Sequence, residues 1–113
     1  MTEGGKEVKK IVNDIEDPRK DIFSALSCGR RIRILEIMKD KEVCGCDLIP
    51  ILQIDQSAVS RHLSILKRAG LVESRKQGVN VYYKIANPRI FELLSLASEI
   101  IKEREKKLLE KLK

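Results

Sequence analysis

Two short helices joined by a three-residue turn, a strand-like hairpin directly after them and a long amphipathic C-terminal segment predict a mainly α domain with a small β-hairpin. In that arrangement the chain is a winged helix-turn-helix, expected to dimerise through its N- and C-terminal helices. Its 113 residues suit a single domain, and 42% hydrophobic with 35% charged residues is too apolar for a disordered tail. Charge interrupts every apolar run, which excludes a membrane span. The expected divisions are an N-terminal helical segment over 1–27, the winged helix over 28–86 and a dimerisation helix over 87–113.

Val8, Ile11, Val12 and Ile15 recur at helical spacing, Pro18 interrupts, and Ile22, Phe23 and Leu26 resume the pattern up to Cys28-Gly29. Arg30 to Lys39 follows with Ile32, Ile34, Leu35, Ile37 and Met38, apolar on more than one face, as a central core helix should be. A short helix is expected from Cys46-Asp47 to Leu52, with Pro50 tolerable in its first turn only. After the turn Gln53-Ile54-Asp55, Asp55 caps a second helix from Gln56 to Ala69, and Gly70 takes the C-terminal cap position.

Strands are expected at Leu71–Arg75 and Val79–Ile85 with Gln77-Gly78 as the turn, since Val79, Val81, Tyr83 and Ile85 alternate with Asn80, Tyr82 and Lys84. Asn87-Pro88 then opens a long helix. Its stripe of Ile90, Phe91, Leu94, Ala97, Ile101, Leu108 and Leu112 needs a cover that the rest of the chain does not supply, so a second copy is expected there.

The formal charge is +6, and from Gln56 to Lys84 the cations Arg61, Lys67, Arg68, Arg75, Lys76 and Lys84 face Glu73 alone, a local net of +5. Such a patch suits a polyanion. With Val59, Leu63 and Leu66 turned inward, the second helix presents Gln56, Ser57, Ser60, Arg61 and Ser64, groups fit for base edges and phosphates in a major groove. His62 lies beside that face, either as a weak contact or packed beneath the helix. Arg75, Lys76 and Gln77 at the hairpin tip suit phosphate or the neighbouring minor groove, and Lys67 adds charge to the patch.

"KEVCGCDLI", residues 41–49, places two of the three cysteines one residue apart. Lys6, Glu7, Lys9 and Lys10 precede any apolar run, so no secretory leader is drawn and a cytoplasmic, reducing location is expected. There, thiols are free, metal-binding or redox-active rather than a structural disulfide framework. Side chains at i and i+2 of a regular helix point about 200° apart, so Cys44 and Cys46 meet one ion only where the backbone is irregular, which Gly45 makes cheap. Burial as small hydrophobes is the other reading.

"ALSCGRRIRIL" (25–35), "EVCGCDLI" (42–49), "QSAVSRHLSILKRAGLVESRKQG" (56–78) and "VYYKI" (81–85) resemble the ArsR/SmtB family of metal-responsive winged-helix repressors. The resemblance implies a homodimer that sits on double-stranded operator DNA and leaves it when a ligand binds. The family's thiolate site reads Glu, apolar, Cys, any, Cys, Asp, apolar, matched by Glu42 to Leu48. It implies Cys44 and Cys46 as ligands for a thiophilic ion such as As(III) or Sb(III), with no cofactor needed for folding. The family's histidine-rich zinc site has no counterpart, since His62 is the only histidine, and Leu48 to Leu52 lacks the third cysteine of arsenic sensors. Cys28 is left as a third ligand, from its own subunit or across the dimer.

A thiol redox switch using Cys44 and Cys46 without metal, and a coiled-coil interaction module with incidental charge, are the other function classes. No nucleophile with a base, no phosphate loop and no framed carboxylate pair marks an enzyme.

Overall fold

A computed structural model describes residues 17–113, so the helical repeat from Val8 to Ile15 lies outside the described residues. Helix α1 (Arg19–Leu26) begins behind Pro18, whose fixed φ is already helical, and the Asp17 carboxylate accepts from the Arg19 N–H at 2.9 Å. The Arg19 side chain also binds that carboxylate, which holds the pKa of Asp17 down at about 2. Helix α2 (Gly29–Ile37) follows Cys28 and buries Ile34 and Leu35 completely.

Strand β1 (Val43–Cys44) leads directly into helix α3 (Gly45–Leu52). The sequence does not announce this strand: two residues are too few to alternate. Helix α3 therefore starts at Gly45, and Pro50 stands in its second turn rather than its first, where its missing N–H removes the bond that would reach the Cys46 carbonyl. Gln53 stops the helix in the left-handed region, at φ 55°.

Helix α4 (Gln56–Arg68) has the expected cap, with Asp55 Oδ1 accepting from the Ala58 N–H at 2.8 Å. Its other end is a Schellman closure on Gly70, whose φ is +79°. There the Gly70 N–H reaches Lys67 O at 3.0 Å and the Leu71 N–H reaches Leu66 O at 3.0 Å.

Strands β2 (Val72–Gln77) and β3 (Asn80–Ile85) form the wing hairpin, and the sheet order is β1-β3-β2, antiparallel throughout. Gln77 pairs with Asn80, so the turn is Gly78-Val79, one residue later than the sequence suggests. Val79 is accordingly 97% exposed at the tip instead of continuing the inward face. Gly78 permits the turn with φ +63°.

Helix α5 (Ile90–Lys111) starts after the turn at Asn87, whose side chain accepts from the Arg89 N–H at 3.0 Å. Its first turn joins the core through Ile90, Phe91 and Leu93. From Ser95 onward every residue is exposed, among them Leu96, Ile100, Ile101, Leu108, Leu109 and Leu112. The core itself gathers Ile34, Leu35 and Met38 from the α2 region, Leu48 from α3, Val59, Leu63 and Leu66 from α4, and Leu71 and Val72 at the wing root. Among the described residues no helix is long and apolar enough to cross a membrane.

Candidate nucleic-acid interface and thiol site

With Val59, Leu63 and Leu66 buried, α4 leaves Gln56, Ser57, Ser60, Arg61 and Ser64 exposed on one side, as its periodicity requires. Lys67 is exposed too, but its ammonium donates to Ser74 Oγ at 2.7 Å, tying the end of α4 to β2. His62 is different. It is half-buried, with Nδ1 3.3 Å from an Arg31 terminal nitrogen.

A guanidinium only donates, so Nδ1 accepts and the imidazole proton sits on Nε2. Arg31 is anchored in turn, through Nε to Ala25 O at 2.7 Å and a second terminal nitrogen to Ser24 O at 3.2 Å. Burial, then the charges of Arg31, Arg30 and Arg61, push the His62 pKa below its ordinary value. His62 thus links the back of α4 to the α1–α2 corner.

On the wing, Arg75 is bound at both ends of its guanidinium. Nε and one terminal nitrogen donate to the two oxygens of Glu42 at 2.8 and 2.6 Å, and the other terminal nitrogen donates to Gln77 Oε1 at 2.6 Å. The same group stacks 4.9 Å from the Tyr82 ring centre. Hydrogen bonding from the Arg75 guanidinium lowers the Glu42 pKa, and Glu42 reciprocally raises that of Arg75. Lys76 and Gln77 are exposed beside it.

Cys44 is 5% exposed, and its place in β1 sets it opposite Tyr82, which in turn is opposite Arg75. One row across the sheet therefore runs from the thiol segment to the wing. Cys44 also caps α3, its Sγ accepting from the Cys46 N–H at 3.3 Å. Because Cys44 is extended and only Cys46 is helical, the 200° divergence of a regular helix does not apply.

The two sulfurs converge, and the structure joins them as a disulfide, with Cα atoms 5.2 Å apart. Gly45 has a further reason to be glycine: an added Cβ would meet Tyr83 Cε2 at 3.4 Å and Leu63 Cδ1 at 3.6 Å. Cys46 is exposed and borders a cavity of about 270 Å³ between α3, the start of α4 and the wing, which Gln56 and Ser60 also line.

Cys28 is not brought to this pair. It is a free thiol at the opposite end of α2, where the backbone N–H groups of Arg31 and Arg30 and their charges lower its pKa against the effect of burial. Among the described residues no group of three or more His, Cys, Asp or Glu side chains is gathered to hold a metal ion. Two contributors escape sequence reading. Arg31 and Glu42 lie 31 and 33 residues from the partners they hold, and nothing local marks them.

Residues 28–74 match the model of the bacterial regulatory protein, arsR family. An HTH-type transcriptional regulator of Methanocaldococcus jannaschii, MJ1325, is 36% identical over 81 residues, 71% of this chain and 91% of that protein. The cadmium resistance regulatory protein CadC of Listeria innocua is 35% identical over 88 residues, 77% of this chain and 74% of CadC.

The chain belongs to the arsR family.

It spans 63% of another relative, the transcriptional repressor SmtB homolog of a Synechocystis strain, at 35% identity over 74% of its own length. The crystal structure of Rv0081 from Mycobacterium tuberculosis superposes with a TM-score of 0.74 at 29% identity, covering 85% of this chain and 97% of that one. The homodimeric winged helix-turn-helix DNA-binding domain Mb0332 of Mycobacterium bovis does so at 0.69 and 28%, over 82% and 86% of the two chains. This arsR-family chain is a winged helix-turn-helix transcriptional regulator and not an enzyme.

Proposed function

We propose that the chain is a homodimeric DNA-binding repressor that releases its operator when a thiophilic metalloid, As(III) or Sb(III), binds the thiolates of Cys44 and Cys46. The placement of Cys44 carries this reading: it is at once a strand of the wing sheet and the cap of the helix preceding α4. Any ligand that redirects Cys44 pulls on both DNA-facing elements.

In this reading Gln56, Ser57, Ser60, Arg61 and Ser64 enter the major groove, where Gln and Arg suit bidentate contacts with adenine and guanine. Lys67, Arg75, Lys76 and Gln77 follow the phosphates. His62 braces α4 through Arg31 rather than reading a base. The exposed leucines and isoleucines of α5, together with Phe23 of α1, cover one another in a second copy, as the homodimeric Mb0332 domain suggests. The two α4 helices then address half-sites about 34 Å apart, or a multiple of that.

The donor set fits the ligand class, because two converging sulfurs favour a soft ion over magnesium or calcium. The metalloid supplies strong bonds to sulfur when bound. The chain supplies converging sulfurs and a backbone that carries their displacement to the wing. No cofactor serves folding, and the protein acts in the cytoplasm, where the thiols are kept reduced.

The convergence of Cys44 and Cys46 in a disulfide favours a second reading, a redox switch at the same two atoms. Two measurements on the reduced protein test the proposal. Operator affinity should fall steeply with salt, about 0.9 log units per log unit of salt for each phosphate contact, whereas a coiled-coil module gives a flat line. Native mass spectrometry should show arsenite on the wild type and none on Cys44→Ser. Loss of operator binding with oxidant but not with arsenite favours the redox switch instead.

A further inference from the structure

The cations on the two flanks of α4 are differently engaged. On the wing flank Lys67 donates to Ser74 Oγ, Arg75 is held by Glu42 and Gln77, and Lys84 pairs with Glu73 at 3.3 Å. On the other flank Arg30, at the start of α2, and Arg61 of α4 are exposed, and neither side chain has an ion-pair or hydrogen-bond partner among the described residues. We propose that Arg30 grips a phosphate of the DNA strand that runs along this second flank, so that the duplex is held on both sides of α4. This rests on the DNA-binding reading above and adds a residue which that reading does not use.

Helix geometry decides the side. Ala58, His62, Ile65 and Ala69 recur at three- and four-residue spacing and form the side of α4 turned to α1 and α2. His62 meets Arg31 there, and Ile65 and Ala69 face Ser24 and Ala25 across a cleft. Arg61 borders that side where α4 turns toward Ser57, Ser60 and Ser64, whereas Gln56 and Lys67 lie by the wing, near Val79 and Ser74.

Arg31 brings its neighbour to this corner. Its guanidinium is fixed to Ala25 O, Ser24 O and His62, which locks the first turn of α2 against α4. Arg30 stands about 100° away around the helix, so it leaves the packed side and stays exposed. The charges of Arg30 and Arg61 both act on His62, and the first turn of α2 holds no acidic side chain to neutralise them. Like charges gathered without a counter-charge are relieved by an anion.

Size is the second argument. A helix with its side chains is about 10–12 Å across and the major groove is about 12 Å wide, so a helix seated there has a phosphate strand along each flank. The wing meets one strand. The α1–α2 corner meets the other, and Arg30 is the exposed cation at the start of α2 that borders Arg61 there.

The test uses the full chain and, as probe, a duplex that the wild-type protein selects from a random-sequence pool. Arg30→Ala is compared with Arg30→Lys, with Lys76→Ala on the wing, and with Arg33→Ala, which removes an equal charge from the outer face of α2. Arg30→Ala should weaken binding on the order of tenfold and flatten the log–log salt slope by about 0.9 per subunit. Arg30→Lys should keep most of that slope, and Arg33→Ala should leave it unchanged. Phosphate-ethylation interference should disappear in Arg30→Ala at positions on the strand opposite those lost in Lys76→Ala. Equal slopes for Arg30→Ala and Arg33→Ala overturn the proposal, as does loss of interference at the same phosphates as Lys76→Ala. A fall in the preference for the selected over a scrambled duplex assigns Arg30 to a base edge and overturns it too. A wild-type protein that selects no sequence and binds without salt dependence removes the DNA-binding reading as well.

Discussion

Arg75 and Glu42 form a two-point ion pair, 2.8 and 2.6 Å, that joins the tip strand of the wing to the residue just before the thiol strand. The guanidinium that would meet a phosphate is thus already shared with the thiol segment. In the proposed repressor a DNA phosphate would compete with Glu42 for the same nitrogens, and the pair would link operator affinity to whatever moves Cys44.

Glu42→Gln removes one side of that competition. Operator affinity should rise about two- to fivefold at low salt, and the log–log salt slope should steepen by about one contact. Fluorescence anisotropy across a salt series reads both. The thermal midpoint should barely move, because both partners are solvent-facing.

His62 gives a pH dependence whose sign follows from its environment. Its folded pKa lies below the ordinary value near 6.5, so in acid the unfolded chain takes up the proton more readily. The stability held by the neutral ring is fully present above about pH 6.5 and is lost as pH falls through the lower folded pKa. Denaturant midpoints measured from about pH 7.5 down to about pH 5 should fall in the wild type. They should fall less in His62→Gln, which keeps an acceptor for Arg31 but does not titrate.

Asp55 holds the first turn of α4, where Gln56, Ser57 and Ser60 stand. Asp55→Ala should cost about 0.5–2 kcal/mol of stability, as the loss of an N-cap does. Operator binding should weaken beyond that loss if the frayed turn is the one that enters the groove, as proposed. Calorimetry and operator titration on the same preparation separate the two effects.

The outline of the fold was legible because its signals are local and periodic. Asp55 and Gly70 bracket α4 within two turns of the residues they cap, and Val59, Leu63 and Leu66 mark its inner face. The two-residue strand β1 was not legible, since it exists only by pairing Val43 and Cys44 with Tyr83 and Tyr82, about forty positions on. That pairing is also what lets the sulfurs of Cys44 and Cys46 converge. The wing turn slipped by one residue because Gln77 is held in register by Asn80, a choice of hairpin geometry that alternation alone does not make. Arg31 and Glu42 were invisible for the same reason as β1: they act across the fold on His62 and Arg75.

Control of DNA release by Cys44 and Cys46 is read out by titrating arsenite into a preformed complex of reduced protein and operator. Wild-type protein should leave the DNA at one equivalent of arsenite per chain, and Cys44→Ser and Cys46→Ser should bind operator normally and stay bound. Release of both variants at the same arsenite concentration, or retention of the wild type with its thiols saturated, would contradict the account.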